Sequence, residues 1–344
     1  MTAPSRRRLR AGVIGLGVGE AHIDGYRRAH SVDVTALCDQ SPTVRERLER
    51  DYPECRIYGE AQDLLDDPEV DVVSIASYDQ SHASLIVAAF EAGKHVFAEK
   101  PLCLKESELQ RIRSRHAAAP NLQLSTNTVL RKSPRFLDLK NRIADGELGE
   151  IYYLEADYNY GRLEKLLSGW RGEDIDYSVV LGGGIHMVDL ALWLTGARVV
   201  EVMAAGNKIC SRDAPFRTPD LVVATLRFDT GAIAKIACNF GCVQAHFHRL
   251  IAYGTHATYE NTRPGGLLYR SRSELTPPET IATDYPGVRK GDLIPSFIAA
   301  IRGEGPADVS AAEAYAATEV CLAIERSWRT GTTVRLPDED RHEV

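Results

Sequence analysis

No apolar run in the chain approaches the roughly 18 residues that a membrane-crossing helix needs. Positive charge is in the minority as well: 41 Lys and Arg face 48 Asp and Glu, a net charge of −7. That balance argues against nucleic acid or an anionic membrane as a main partner. There is no internal repeat and no low-complexity tract. The seven cysteines (Cys38, Cys55, Cys103, Cys210, Cys238, Cys242 and Cys321) are odd in number and scattered. In a chain of this size they argue against a disulfide framework and for reduced thiols in a cytoplasm. What remains is an ordinary globular composition, 44% hydrophobic and 26% charged over 344 residues. That is enough chain for two domains with proper cores. The run Ser5-Arg6-Arg7-Arg8-Leu9 looks like a twin-arginine signal. The apolar stretch behind it is itself a strand and a glycine turn, so it reads as a basic tail.

Up to about residue 125, short apolar strands alternate with helices. Strands fall at 9–15, 32–38, 71–77, 95–99 and 122–125, with helices at 20–29, 42–50, 81–92 and 105–118. That alternation predicts a parallel sheet with helices on both faces. Beyond it come a helix at 134–145, a long alternating strand at 151–160 and a helical stretch at 182–195. Strands at 199–206, 220–228 and 232–240 follow, and 243–260 continues the sheet. Helices at 293–302 and 311–329 finish the chain. This order predicts an α+β domain with a mostly antiparallel sheet. The segment 261–290, rich in Pro, Gly, Ser and Thr, reads as a loop.

The first strand closes on Gly15-Leu16-Gly17-Val18-Gly19. Bare backbone N–H groups in such a turn suit a dinucleotide pyrophosphate. The third glycine comes one residue earlier than the usual G-x-G-x-x-G spacing, so a plain tight strand–helix connection stays open. Asp39, at the end of the second strand, can accept hydrogen bonds from both adenosine ribose hydroxyls and would repel a 2′-phosphate, which predicts NAD over NADP; a helix-capping role is the alternative. Tyr78 and His82 fall after the third strand, which ends at Ser77, lining a nicotinamide pocket or capping the helix. Lys100, between Glu99 and Pro101, lies on the same rim. Glycines precede His186 in Gly182-Gly183-Gly184-Ile185-His186-Met187-Val188-Asp189. On a helix, His186, Asp189 and Trp193 share a face, and an imidazole there can serve as a general base.

Taken together, these motifs resemble the Gfo/Idh/MocA oxidoreductases, the glucose-fructose oxidoreductase and inositol dehydrogenase family. The resemblance rests on GVIGLGVGEAH at 12–22, DVVSIASYDQSH at 71–82 and EAGKHVFAEKPL at 91–102. It also rests on the segment around Asn127, Arg131 and Pro134, on DGELGEI at 145–151, on Trp170-Arg171 and on GGGIHMVDLALWLTG at 182–196. It implies a Rossmann domain over 1–125 and a substrate-binding domain over 126–344. The open sheet of the second domain would form a homodimer or homotetramer. The implied substrate is a sugar, polyol or nucleotide-linked sugar, oxidised or reduced at a hydroxyl or carbonyl. The cofactor set is Gly15, Leu16, Gly17, Val18, Gly19, Asp39, Ser77, His82, Glu99, Lys100, Pro101 and Asn127, holding NAD, with NADP as the alternative. The proline after the lysine is commonly cis.

The expected chemistry has His186 taking the proton from a substrate hydroxyl while Lys100 stabilises the reacting oxygen. The family places an aspartate four residues before this histidine, where this chain has Gly182. Asp176, Tyr177 or Asp189 is expected to take over its support. Arg131, Tyr158, Tyr160 and Arg171 are expected to touch the substrate, alongside Lys100 and His186. The basic residues Arg162 and Lys165 read either as contacts to substrate phosphate or carboxylate or as a solvated surface. Cys238, Cys242, His246 and His248 share strand parity, but their spacing spreads them too far apart for a zinc site, and no metal is expected. Two alternatives use the same scaffold: a redox-neutral NAD-dependent glycosidase and a non-catalytic dinucleotide-binding sensor.

Overall fold

The computed structural model describes residues 7–173 and 176–337. Ser5 and Arg6 of the basic tail lie outside them. Arg7 and Arg8 are ion-paired with Asp71 and Asp33. The chain divides into two compact units, Met1–Val129 with Val288–Ala316, and Leu130–Gly287 with Ala317–Val344.

In the first unit, β1 (Leu9–Ile14), α1 (Glu20–Arg28), β2 (Val32–Cys38), α2 (Pro42–Asp51), β3 (Arg56–Tyr58), α3 (Ala61–Asp66), β4 (Val72–Ile75), α4 (Asp79–Glu91), β5 (His95–Ala98), α5 (Glu106–Ala117) and β6 (Leu124–Thr126) follow one another. The six strands form one parallel sheet in the order β3-β2-β1-β4-β5-β6. Its central strands are buried on both faces, which is why they read as unbroken apolar runs. The strand order reverses between β1 and β4, and ligands of such sheets bind at the carboxyl ends beside that reversal. Residues 288–316 join this unit although the sequence division at 125/126 did not single them out. A Cβ on Gly25 of α1 would meet Gly291 Cα at 2.9 Å, so the two backbones touch. Arg28 pairs with Asp292 at 2.5 Å, and Phe297 packs against Phe97.

The second unit holds α6 (Pro134–Ala144), β7 (Ile151–Asn159), α7 (Glu164–Leu167), α8 (Gly169–Glu173), a π-helical turn at Val180–Gly184, α9 (Ile185–Thr195), β8 (Val199–Asn207), β9 (Leu221–Phe228), β10 (Ile233–Asn239), β11 (Phe247–Gly254), β12 (Thr258–Asn261), β13 (Gly266–Tyr269) and β14 (Glu279–Ile281). Helices α10 (Ile294–Ile301) and α11 (Ala311–Thr330) and strand β15 (Val334–Arg335) complete the chain. Nine strands form the second sheet, ordered β14-β13-β12-β11-β7-β10-β9-β8-β15. Among the described residues of this sheet only β7 and β10 pair in parallel. The stretch expected as a loop, 261–290, contributes two of these strands, β13 and β14. On β7, Leu154, Ala156 and Tyr158 point to a buried face beneath α9, while Glu155 and Asp157 point to the other. This alternation is the period-2 pattern read from IYYLEADYNY.

Candidate active site

In the first unit, Gly15 turns the chain at φ 87°. A Cβ there would meet Ala76 O at 2.5 Å, so no other side chain fits between the turn and β4. A Cβ on Gly17 would meet nothing within 4 Å, and Val18 is exposed, so the turn presents its backbone to open space. Leu16 instead buries its side chain. The Asp39 carboxylate accepts from Leu16 N at 2.9 Å and Ser41 N at 2.9 Å. It thereby ties the glycine turn to the end of β2. Two backbone donors leave a half-buried carboxylate with acceptor capacity to spare. The helix-capping side chain at α2 is that of Ser41, not Asp39.

The end of β5 carries Glu99, Lys100 and Pro101, with a cis bond between the last two. Glu99 is almost completely buried, 3.3 Å from His22 Nε2, and accepts from Asn127 Nδ2 at 2.7 Å. Burial alone would raise its pKa. The His22 hydrogen bond and the charges of Lys290 and Lys100 outweigh burial and hold it well below the usual carboxylate range. Sequence reasoning missed both His22 and Lys290. His22 sits on α1 beyond the turn, and Lys290 comes from a segment nearly two hundred residues downstream. Asn127 Oδ1 and the hydroxyls of Thr126 and Thr128 are buried with no hydrogen-bond partner. These orphaned polar atoms, with the open glycine turn, fit a bound dinucleotide. Ser77 Oγ pairs with Ser81 Oγ at 2.8 Å. His82 is fully buried, with ring nitrogens 2.7 Å from Pro101 O and 3.0 Å from Ser77 O. It braces the ends of β4 and β5, and burial closes its ring to direct contact with a cofactor.

In the second unit, register aligns two rows of side chains. Cys238, Tyr158 and His248 stand opposite one another across β10, β7 and β11. One step further, the rings of Phe240, Tyr160 and His246 crowd together, Tyr160 lying 4.6 Å from Phe240 and 5.2 Å from His246. His186, half-buried, stacks on Tyr158 at 6.2 Å. The glycine triplet explains how the π-turn reaches this platform. A Cβ on Gly183 would sit 2.5 Å from the Tyr158 ring and 2.9 Å from Phe240, and one on Gly184 would overlap Cys238 Sγ. Only bare backbone can lie this close. The Arg171 guanidinium lies 5.5 Å over the Tyr177 ring. Burial drives the His248 pKa down to about 3, and burial with the Arg162 and Arg263 charges drives His246 down to about 4. Both rings are neutral at physiological pH.

Residues 9–127 match the model of an oxidoreductase family with an NAD-binding Rossmann fold, and residues 136–260 match the GFO/IDH/MocA C-terminal domain. The chain belongs to the Gfo/Idh/MocA oxidoreductase family. Its Rossmann unit is accordingly an NAD-binding one. Myo-inositol 2-dehydrogenase of Thermotoga maritima is 29% identical over 72% of this chain and 73% of its own. Inositol 2-dehydrogenase 2 of Saccharopolyspora erythraea is 26% identical over 94% of each. Among solved structures, an NAD-binding oxidoreductase from Klebsiella pneumoniae superposes with a TM-score of 0.82 at 25% identity, covering 96% of this chain and 100% of that one.

Within the Gfo/Idh/MocA pattern, two expectations need correction. Asp189, expected beside His186, and Arg131, expected against substrate, bind each other in a bidentate pair of 2.9 and 2.7 Å. Their side chains are 1% and 2% exposed. Asp189 and Trp193 do share a helix face, as the spacing predicted, but that face looks onto Arg131. The pair anchors α9 and is closed to a ligand. At Gly182, where the family resemblance implies an aspartate, a Cβ would overlap the hydroxyl of Tyr177. Of the three residues expected to replace the aspartate, Tyr177 fills that volume. Among the described residues no cluster of His, Cys, Asp and Glu is arranged to hold a metal.

Proposed function

We propose that the protein is an NAD-dependent dehydrogenase acting on a hydroxyl or carbonyl of a sugar, polyol or nucleotide-linked sugar. The observation that carries this reading is the buried, ionised Glu99 at the carboxyl edge of the parallel sheet, held among His22, Lys290 and Lys100 beside Asn127, whose Oδ1 has no partner. Perturbed charges at such an edge mark functional sites. The Gly15–Gly19 turn, Asp39 and Asn127 hold the dinucleotide, and the unphosphorylated ribose that a carboxylate prefers makes it NAD rather than NADP. The nicotinamide supplies the hydride acceptor when bound. Lys100 stabilises negative charge developing on the substrate oxygen, and His186 takes the hydroxyl proton. Tyr158 and Tyr160, expected to stack on a sugar, are buried among the rings and back His186 and Arg162 instead. The named inositol dehydrogenases among the relatives support a polyol-like substrate.

The test is an NAD-reduction screen over polyols, sugars and nucleotide sugars, repeated with Lys100→Ala and His186→Ala. Each variant should lose at least about 100-fold in kcat while still binding NAD. Undiminished turnover in either removes that residue from the chemistry.

The outward face of the second sheet supports self-association as a homodimer or homotetramer. It carries the exposed apolar residues Met203, Val223 and Ile233 beside the ion-paired set Glu155, Asp157, Lys235 and Arg249. Sedimentation of wild type and Ile233→Arg tests it. The seven cysteines are all free thiols, which supports a cytoplasmic setting.

A further inference from the structure

We infer that the ring platform of the second unit carries an anion subsite, at which Arg162 and Arg263 bind a carboxylate or phosphate borne by the substrate. The inference rests on the reading that this platform holds the substrate, and narrows that substrate to an acidic sugar or polyol.

Two separate pieces of backbone bring these arginines to one place. Gly161, at φ 60°, lies directly against the Gln244 carbonyl, with no room for a side chain. That contact sets Arg162 beside the turn leading into β11. Its guanidinium lies 5.3 Å over the Tyr160 ring, which in turn meets His246 edge-on at 5.2 Å. Arg263 comes from the turn after β12. Its Nη2 donates to Ala245 O at 2.6 Å and to Gln244 Oε1 at 3.3 Å, and its guanidinium covers Phe247 at 4.8 Å. Both arginines are exposed, and among the described residues neither has an ion-pair partner.

His246 registers the field they create. Burial, then Arg162, then Arg263 disfavour its protonation. Its Nε2 is buried with no hydrogen-bond partner. Two unneutralised guanidiniums around a neutral, unsatisfied imidazole form a site that lacks a negative charge. An oxyanion here gains fork-shaped hydrogen bonds from arginine and offsets the positive charge that both guanidiniums direct at His246. A neutral polyol gains neither.

The test compares D-glucuronate, glucose 6-phosphate and D-glucose on the NAD-loaded protein. Histidine rings are followed by NMR, with the His246 signal assigned from His246→Asn. At least one acid should bind about tenfold or more tighter than glucose, a difference near 1.4 kcal/mol. It should also raise the pH at which His246 titrates by about one unit. Whichever acid does so identifies the group recognised. Arg162→Gln and Arg263→Gln should each bring the acid-to-glucose ratio toward one. Equal binding of all three sugars, or a ratio that survives both substitutions, overturns the subsite. NADH formation is read separately. Acid-selective, arginine-dependent binding without NADH from any alcohol would leave the subsite standing and remove the dehydrogenase reading. NADH formed from neutral and acidic sugars with the same KM would do the reverse.

Discussion

The phenol of Tyr177 occupies the space that a side chain on Gly182 would need. The two positions are therefore coupled: a longer residue at 182 requires a smaller one at 177.

Gly182→Ala should destabilise the protein by about 1–3 kcal/mol, the usual cost of inserting atoms into a packed core. Tyr177→Ala empties a buried volume and is costly by itself, but Gly182→Ala should cost far less on that background, because the clashing ring is gone. Urea denaturation of the two single variants and the double variant forms a cycle. Additive effects would show that the two residues do not share that volume.

The Arg131–Asp189 pair should behave as a buried ion pair. Asp189→Asn or Arg131→Met alone strands a buried group and should cost about 3–5 kcal/mol. Arg131→Met with Asp189→Leu should be far closer to wild type. If instead Asp189→Asn leaves stability intact and removes only turnover, Asp189 belongs with the catalytic residues after all.

Acid sensitivity follows from His246 and His248, whose folded-state values near 4 and 3 lie below the unfolded value of about 6.5. Above about pH 6.5 neither histidine affects the balance. As pH falls below it, the unfolded chain takes up protons that the folded one refuses, so stability drains away down to about pH 4 and continues to fall toward pH 3. The double variant His246→Asn/His248→Asn should lose less stability than wild type between pH 7 and pH 4. Parallel pH profiles from urea unfolding would contradict this.

Asp39 holds Leu16 N, and in the proposed NAD site it also faces the ribose. Asp39→Ser should raise the kcat/KM ratio for NADP over NAD by about tenfold or more, since the charge that repels a 2′-phosphate is gone. It should also weaken NAD binding, because the glycine turn loses its tether. Steady-state kinetics with both cofactors measure the two effects. A ratio that stays fixed would confine Asp39 to the tether.

The first unit was the more legible part of the fold. Its strands are buried on both faces and bounded by glycine or helix-capping residues, so apolar runs mark them one by one. β3 escaped because three half-exposed residues make no run. β13 and β14 escaped because composition alone made 261–290 a loop, whereas their pairing partner β12 makes them strands. At the site, parity grouped Cys238, Cys242, His246 and His248; Cys238 and His248 stand on one face with His246 against them, whereas Cys242 lies in the turn between β10 and β11. Their ring partners on β7 depend on inter-strand register, which a single strand's pattern does not carry. The helical spacing of Asp189 and Trp193 was readable. That Arg131, 58 residues away, would claim Asp189 was not. Nor could a single sequence show that the glycine triplet gives clearance for Tyr177, Tyr158, Phe240 and Cys238.

The lone parallel pairing, β7 with β10, has a consequence for how this scaffold can change. A chain leaving β7 cannot hairpin back into a parallel neighbour. It departs through α7, α8 and α9, enters the sheet at β8 and returns by way of β9. Between β7 and β8 the chain thus makes a detour with no strand among its described residues, held down where α9 and the glycine turn pack on β7 and β10. That detour supplies His186, Tyr177 and both short helices near the rings. Lengthening its first part, around α7 and α8, breaks no inter-strand ladder, whereas α9 and the glycine turn are fixed by the sheet they cover, so variation in what is recognised there is confined to the stretch before them.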